Sequence, residues 1–384
     1  MNKKYVLFVS LSILVIASLA AGCAQAAPVQ TVAPAGQTAE APTKTVAPPA
    51  PNTAFPVTLQ DALGRSVTLE TAPQRIVVAG KASTLITDAL HMFPEAVDRV
   101  ISYGKGTQTG ISFLSVVDPK INDKTGLENT VSAEQIAPLT PDLVIMKDYL
   151  KDSLGAPVEA LGIKVVYLNL ETPETFITDV MTIGQIFGDS KRAEEITSYY
   201  QQSVSSVTDP LKNLMPTDKP GVLLLQYTSK GGTVAFNVPP EQWLQTDLIN
   251  LAGGTPAWLD ASNPTGWTTV TLEQIASWKP DMIFIVDYSG KADQVVADLV
   301  EDPQWSEMDA VKNGMLYPFP SDFLSWDQPD PRWTLGLAWL AGKIHPAEFA
   351  ALDIKAEVSQ FYKTIYHLDE NVINTQILPI VKVY

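Results

Sequence analysis

Cysteine is almost missing from this chain. Cys23 is the only one in 384 residues, which excludes a disulfide within the monomer. Histidine is scarce as well. His91, His345 and His367 have no partners at ligand spacing, so a bare Zn or Mn site, which needs a His/carboxylate cluster, is not expected. His345 precedes Pro346 and His367 lies near the terminus, so both are expected at the surface. Basic residues are outnumbered, 26 Lys and Arg against 42 Asp and Glu, and the formal net charge is -16. No Lys/Arg cluster is present, which argues against nucleic acid and against attraction to anionic lipid. Catalytic motifs are missing too. There is no G-x-x-x-x-G-K loop, no H-E-x-x-H and no Ser/His/Asp signature, and His91 sits beside Met92 and Phe93 in an apolar helical pattern, as a core residue does. Enzymatic activity is therefore not expected. The N-terminal apolar run, residues 5–19, is shorter than the ~20 residues a membrane span needs.

That run has the grammar of a secretion signal. Lys3 and Lys4 supply the positive start. Leu19-Ala20-Ala21-Gly22-Cys23 resembles the bacterial lipobox, in which the Cys receives lipid and becomes the mature N-terminus. Residues 24–54 are rich in Ala, Pro and Thr and carry few large apolar side chains. Such a stretch cannot bury enough surface to fold and reads as a disordered, extended stalk.

The body beyond the stalk is long enough for two lobes of ordinary domain size. Short apolar runs at 75–79, 99–103, 142–146 and 164–168 alternate with helical stretches such as 83–92 and 132–137. This alternation predicts βαβ units and a mainly parallel sheet covered on both faces. Runs at 221–227 and 282–286 repeat the scheme. Between the halves, 190–212 reads as one long polar helix, interrupted at Pro210 and ended by Pro216. The expected organisation is a signal and lipobox at 1–23, a stalk at 24–54, an α/β lobe at 55–188, a connecting helix at 189–216 and a second α/β lobe with final helices at 217–384.

One internal repeat supports two similar lobes. SAEQIAPLTPDLVIM at 132–146 and TLEQIASWKPDMIFI at 271–285 share six of fifteen positions at a constant offset of 139. In each, Ser132 or Thr271 can cap a short helix, Pro stops it and a strand comes next. A ligand of such a protein belongs in the crevice where loops after the strands converge.

Taken as a set, the blocks of this chain resemble the iron-siderophore, cobalamin and haem class of ABC-importer binding proteins. The carriers are the opening hairpin at 57–65 with the first strand at 72–77, the two Glu-Gln-Ile…Pro-Asp units, and the closing blocks at 313–317 and 331–336. The resemblance implies two Rossmann-like lobes joined by a single long helix, with the ligand cleft between them. It implies a monomer tethered outside the cytoplasmic membrane by lipid alone, delivering a small ligand to a permease dimer with its ATPase subunits. It implies that Glu134 and Glu273, one on each lobe, dock onto permease arginines. A plainer reading makes both glutamates helix N3 residues of capping-type turns.

Residues just after strands are candidates for ligand contact. In the first half these are Lys81, Ser83, Tyr103, Lys147 and Tyr149; in the second, Tyr227, Asn237, Trp267, Tyr288, Trp326, Asp327 and Arg332. Ser83 could equally be a helix N-cap. Trp326 offers a flat apolar surface and Arg332 a fork for oxyanions, although Trp326 could pack under the final helix and Arg332 could serve that helix start. No resident cofactor is expected. The transported ligand reads as a metal chelate. The alternative within the same scaffold is a molybdate or tungstate binder, in which Lys81, Lys105, Lys147 and Arg332 converge on an oxyanion. A surface sensor or adhesin is a further alternative that the anchor and stalk alone would permit.

Overall fold

The structure, a computed structural model, describes residues 54–229 and 232–383. The signal segment, Cys23 and the stalk up to residue 53 lie outside the described residues, as do Lys230 and Gly231. A hairpin opens the fold, β1 (Val57–Gln60) pairing antiparallel with β2 (Ser66–Leu69). Asp61 closes its turn by accepting from the Leu63 and Arg65 amides.

The first sheet contains β3 (Ile76–Val78), β4 (Val100–Gly104), β5 (Thr125–Leu127), β6 (Leu143–Lys147) and β7 (Val165–Leu168). All pairings are parallel, in the order β5-β4-β3-β6-β7. Strands β3, β6 and β7 are buried at every residue, which is why they read as unbroken apolar runs. The chain builds outward from β3 in one direction and then from β6 in the other. That switch opens a crevice at the carboxyl ends of β3 and β6, next to Gly80–Lys81 and Asp148–Tyr149.

The second sheet has the order β11-β9-β8-β12-β13, with β10 (Thr255–Pro256) also on β8. Its central strands, β8 (Gly221–Thr228), β12 (Met282–Val286) and β13 (Leu316–Pro318), are parallel. Its edge is not: β9 (Ala235–Val238) runs antiparallel to both β8 and β11 (Thr268–Val270). The chain returns directly from β8 to β9, so this edge needs no crossover helix.

Four helices position the site: α1 (Ser83–Leu90), α2 (Ala133–Ile136), α3 (Pro173–Phe187) and α4 (Ser190–Leu211). Helix α4 is the connector between the sheets. Asp189 caps it by accepting from the Arg192 amide. Pro210 does not interrupt it; the helix runs one residue further, to Leu211. So close to the end, the bond a proline forfeits is one of the last of the helix. The buried Arg192 side chain donates to the carbonyls of Met92 and Ile365, tying the connector to the first lobe and to the C-terminal helices at once.

The internal repeat corresponds to one physical unit used twice. Helix α2 and its counterpart α5 (Leu272–Trp278) both start with a capping box, in which Gln135 and Gln274 occupy N3. Ile136 and Ile275 are fully buried. Thr140 and Lys279 both adopt left-handed backbone at the stop. Asp142 accepts from the amides of Gln74 and Arg75 at the entrance to β3, and Asp281 accepts from the Gly221 amide at the entrance to β8. Each aspartate thus fixes the register of its strand against the neighbouring one.

Because Asp142 holds two amides and Asp281 one, Asp142→Ala is expected to cost more stability than Asp281→Ala. About 2 kcal/mol against about 1 kcal/mol, measured by urea unfolding, is the scale for charge-assisted bonds near the surface. Equal costs would remove the strand-entrance role.

Candidate functional site

The loops after the strands of both sheets meet along one seam, and its densest point is a buried guanidinium. Arg332 is fully buried. It lies 2.9 Å from Asp88 of α1 and 3.0 Å from Asp322, and it pairs with Asp330. Its Nε also donates to the Tyr362 hydroxyl at 2.9 Å, and Tyr362 in turn donates to Asp322. The Phe113 ring stacks on the guanidinium, 4.3 Å from its centroid. Asp88 and Phe113 belong to the first lobe, whereas Asp322, Asp330 and Tyr362 come from the chain after β13. Tyr200 of α4 donates to the Pro331 carbonyl and stacks on Trp333, so the connector lies beside the cluster.

One cation among three carboxylates leaves an excess of negative charge out of water. Burial works against the Arg332 charge, but Asp330, Tyr362, Asp322 and Asp88 hold it firmly protonated. Burial pushes Asp330 up to about 7 despite Arg332, and Asp88 reinforces the rise. Asp88 is raised for the same first reason, with Arg332 opposing. The cluster therefore retains protons that isolated aspartates would have lost.

Arg332 is fully buried with its Nε and Nη1 engaged and only Nη2 unpartnered, so it presents no exposed fork, which corrects the expectation drawn from its sequence position. Trp326 is also fully buried. It packs under the helix α6 (Trp333–Ile344), where a Cβ on Gly336 would stand 2.4 Å from the Trp326 carbonyl. The packing reading of Trp326 holds. Ser83 is not a helix cap: the cap position is Ala82, in left-handed backbone, with no side-chain bond. Ser83 is buried against Gly104, whose missing side chain makes the room. Lys147 is buried, donates to the Asn169 carbonyl and pairs with Glu171 at 2.6 Å. Asn237 accepts from Thr269 at 2.7 Å across the sheet edge. His345 is buried against the Gly253 carbonyl rather than at the surface, while His367 is exposed. His91 is a core residue bonded to Asp118 at 3.0 Å. Glu134 and Glu273 are exposed at N2, one place before the expected N3.

The remaining candidates fall into one group on each lobe. From the first lobe comes Lys81, exposed, whose carbonyl receives the Tyr149 hydroxyl at 3.4 Å. Burial first, then the nearby Glu171 and Asp148 carboxylates, push the Tyr149 phenol up to about 12. Tyr103 is half-buried in β4. From the second lobe come Tyr288 and Trp267, ring centroids 6.3 Å apart, with Trp243 at 5.8 Å from Trp267. Tyr227 packs edge-on to Phe236. Tyr288 donates to the buried Asp327 at 2.7 Å, and Ser325 and Gln245 donate to the same carboxylate. The Tyr288 phenol is pushed well up, by burial first, then by Asp327, and more weakly by Glu171 of the opposite lobe.

Residue type alone does not reveal the seam's other contacts. Gln108, in the loop after β4, and Gln328 exchange amide bonds at 2.7 and 3.0 Å, and the Ser325 amide donates to Gln108 at 3.1 Å. Glu171 stands three residues beyond the end of β7, an edge strand, and nothing in its local sequence sets it apart from any other solvated glutamate.

A carboxyl whose pKa is higher in the folded than in the unfolded chain stabilises fully at low pH, and that contribution fades as pH rises through the folded value. Asp330 lies at about 7, and so does Asp179, buried under the Asn169 and Leu170 amides. The melting temperature is expected to fall by several degrees between about pH 5 and pH 8. Asp330→Asn should flatten that fall. An unchanged slope in the variant would remove the cluster from the explanation.

Comparison with known proteins agrees with this geometry. Residues 104–323 match the family described as Periplasmic binding protein. The uncharacterized ABC transporter substrate-binding lipoprotein YvrC of Bacillus subtilis is 26% identical over 303 residues, 77% of this chain and 87% of that protein. The molybdate-binding protein MolA of Haemophilus influenzae is 22% identical over 80% of this chain and 90% of its own. A cobalamin-binding protein of Halobacterium salinarum is 24% identical over 83% and 82%. Among solved structures, a periplasmic solute binding protein from Veillonella parvula superposes with a TM-score of 0.67 at 26% identity, covering 84% of this chain and 98% of that one. With a match that spans more than half of its length and both lobes, the chain belongs to the periplasmic binding protein family.

Proposed function

We propose that this chain is the lipid-anchored, extracytoplasmic solute-binding component of an ABC importer, and that its cargo is a bulky, neutral or cationic metal chelate or corrinoid rather than an oxyanion. One observation carries the choice of cargo. The oxyanion reading needs Lys81, Lys105, Lys147 and Arg332 to converge, and two of these four are buried in pairings of their own while a third makes only an exposed pair. Lys105 lies 3.3 Å from Glu128, Lys147 is buried with Glu171, and Arg332 is enclosed by aspartates. Around the opening the remaining charge is mostly negative, and the broad surfaces are Trp243, Trp267, Tyr288 and Tyr149. Such a lining suits a large flat ligand without excess negative charge. Its metal travels as cargo inside the chelate. The cobalamin-binding relative supports the reading, and the molybdate-binding one keeps the oxyanion as the outcome to test against.

Delivery would use the two exposed glutamates. Every other identical position of the repeat, except the small Ala137 and Ala276, already serves the cap, the core, the stop or the strand entrance. Glu134 and Glu273 remain, one on each lobe. Their carboxylates are held below the usual range, Glu134 by the Ser132 hydroxyl and its own amide, Glu273 by its own amide and the Thr271 hydroxyl. Both therefore present a charge to permease arginines. Anchoring at Cys23 and the stalk up to residue 53 would keep the body within reach of the permease. No helix among the described residues is long and apolar enough to cross a membrane.

Two measurements test this reading. In a thermal-shift screen, a cobalamin or a ferric siderophore is expected to raise the melting temperature by several degrees, since a hundredfold excess over Kd stabilises by about 2.7 kcal/mol. A shift with molybdate or tungstate alone would overturn the cargo assignment. In reconstituted vesicles, Glu134→Ala with Glu273→Ala should lower uptake roughly tenfold or more while ligand affinity stays unchanged. Loss of affinity in that variant would sink the docking role.

A further inference from the structure

The seam has two kinds of fastening. Beside α4 is the Arg332 cluster, charged and fully buried, with Tyr200 of α4 bonded to the adjacent Pro331. Separating Asp88 from Arg332 would leave bare charges in the interior, a heavily resisted change. The seam also holds a cavity of about 10 Å³, room for a single water, lined by Asp88, Thr107 and Phe113 of the first lobe and by Phe323 and Leu324 of the second. The second fastening is the Gln108–Gln328 pair. These are neutral amides bonded reciprocally between the lobes. Each can satisfy its groups with water once parted, so opening here is cheap.

The loop that carries Gln108 is built to move. It runs from Lys105 to Ser112 with no regular structure, and Gly110 sits at φ 80 with nothing within 4 Å of where a Cβ would be. Apart from the Gln108 bonds, its contacts with the second lobe at Thr109 are light. Thr109 donates to the Phe323 carbonyl at 3.4 Å, and its methyl rests where a side chain on Gly290 would be. The pair also has a physical route to the ligand wall. Gln108 holds the Ser325 amide, the Ser325 hydroxyl holds Asp327 at 2.6 Å, and Asp327 holds the Tyr288 hydroxyl.

We infer that Gln108 and Gln328 form the gate of the interlobe opening, and that the Arg332 cluster is the pivot about which the lobes part. The inference rests on the reading of that opening as the ligand cleft. Parting the amides frees Ser325, Asp327 and Tyr288 together, so the gate and the aromatic wall move as one unit. The pivot keeps α1, α4 and the chain around Arg332 in register throughout. Lobe motion is thereby limited to a swing on the side away from the connector.

Amide hydrogen exchange on the full chain tests this without any ligand, so failure here and failure of the transport reading are separate results. Gln108→Ala and Gln328→Ala should each speed exchange across 105–112 and 325–328 by about fivefold, the scale of one or two neutral hydrogen bonds. The double variant should show no further gain, because both substitutions remove the same pair. Exchange in α1, residues 83–90, should stay at the wild-type rate in all three and rise only in Asp88→Asn. Unchanged exchange in the single variants, or effects that add, would overturn the gate. Acceleration in α1 equal to that at 325–328 would overturn the pivot.

Discussion

A guanidinium can be buried only where its charge finds partners, and Arg332 finds them in three separate stretches of chain, with only its Nη2 left without a hydrogen-bond partner. Asp88 comes from the first helix, Asp322 and Asp330 from the segment after the last strand, and Tyr362 from a C-terminal helix. Neither lobe alone satisfies it. Taking any one of these groups away leaves charge exposed to an apolar interior, which costs several kcal/mol in buried ion networks. The two lobes and the C-terminal segment therefore have to assemble around it together. A segment as polar as 321–330 is buried at every residue for the same reason: its aspartates and glutamine are inside because the cluster and the seam hold them.

That constraint shapes the chemistry of the opening. The most basic side chain near the seam is consumed by the architecture, and Lys147 is consumed by Glu171. Among the candidates, the groups left to meet a solute are aromatic surface, carboxylate and the exposed Lys81. The net acidity of the whole chain thus reappears locally, and it does so where an anionic solute would have to enter.

The fold was legible in the sequence wherever its signal is local. Buried parallel strands read as unbroken apolar runs, and β6, β7, β8 and β12 fell within a residue or so of their predicted ends. The repeat was legible because its cap, core, stop and strand entrance lie together within fifteen residues. Short strands without an unbroken buried run, such as β5, β9 and β10, carry too few positions for any period to show. Tertiary partners were not legible at all. Arg332 and Asp88 are 244 residues apart, and Gln108 and Gln328 are 220 apart. In sequence, Arg332 is a well-placed donor and Gln328 an ordinary amide; their roles depend on the groups that the other half of the chain brings. His345 shows the same dependence. It is buried because Gly253 lacks a side chain, whose Cβ would stand 2.6 Å from the imidazole.

The connector restricts the motion further. A single helix between lobes resists bending far better than a pair of extended strands, but α4 is also fastened at two points along its length. Arg192 clasps the carbonyls of Met92 and Ile365 near its start, and Tyr200 clasps Pro331 in its middle. The charged cluster then sits against that middle. Stiff connector and buried cluster lie on the same side, so they oppose the same motion and leave only the far side of the seam free. The contacts on that far side are neutral and few. Under the proposed function, a solute would enter on that side, and its release would need the two lobes drawn apart from outside. Glu134 and Glu273, each beside a capping box on its own lobe, are the carboxylates that the proposal gives to that pull.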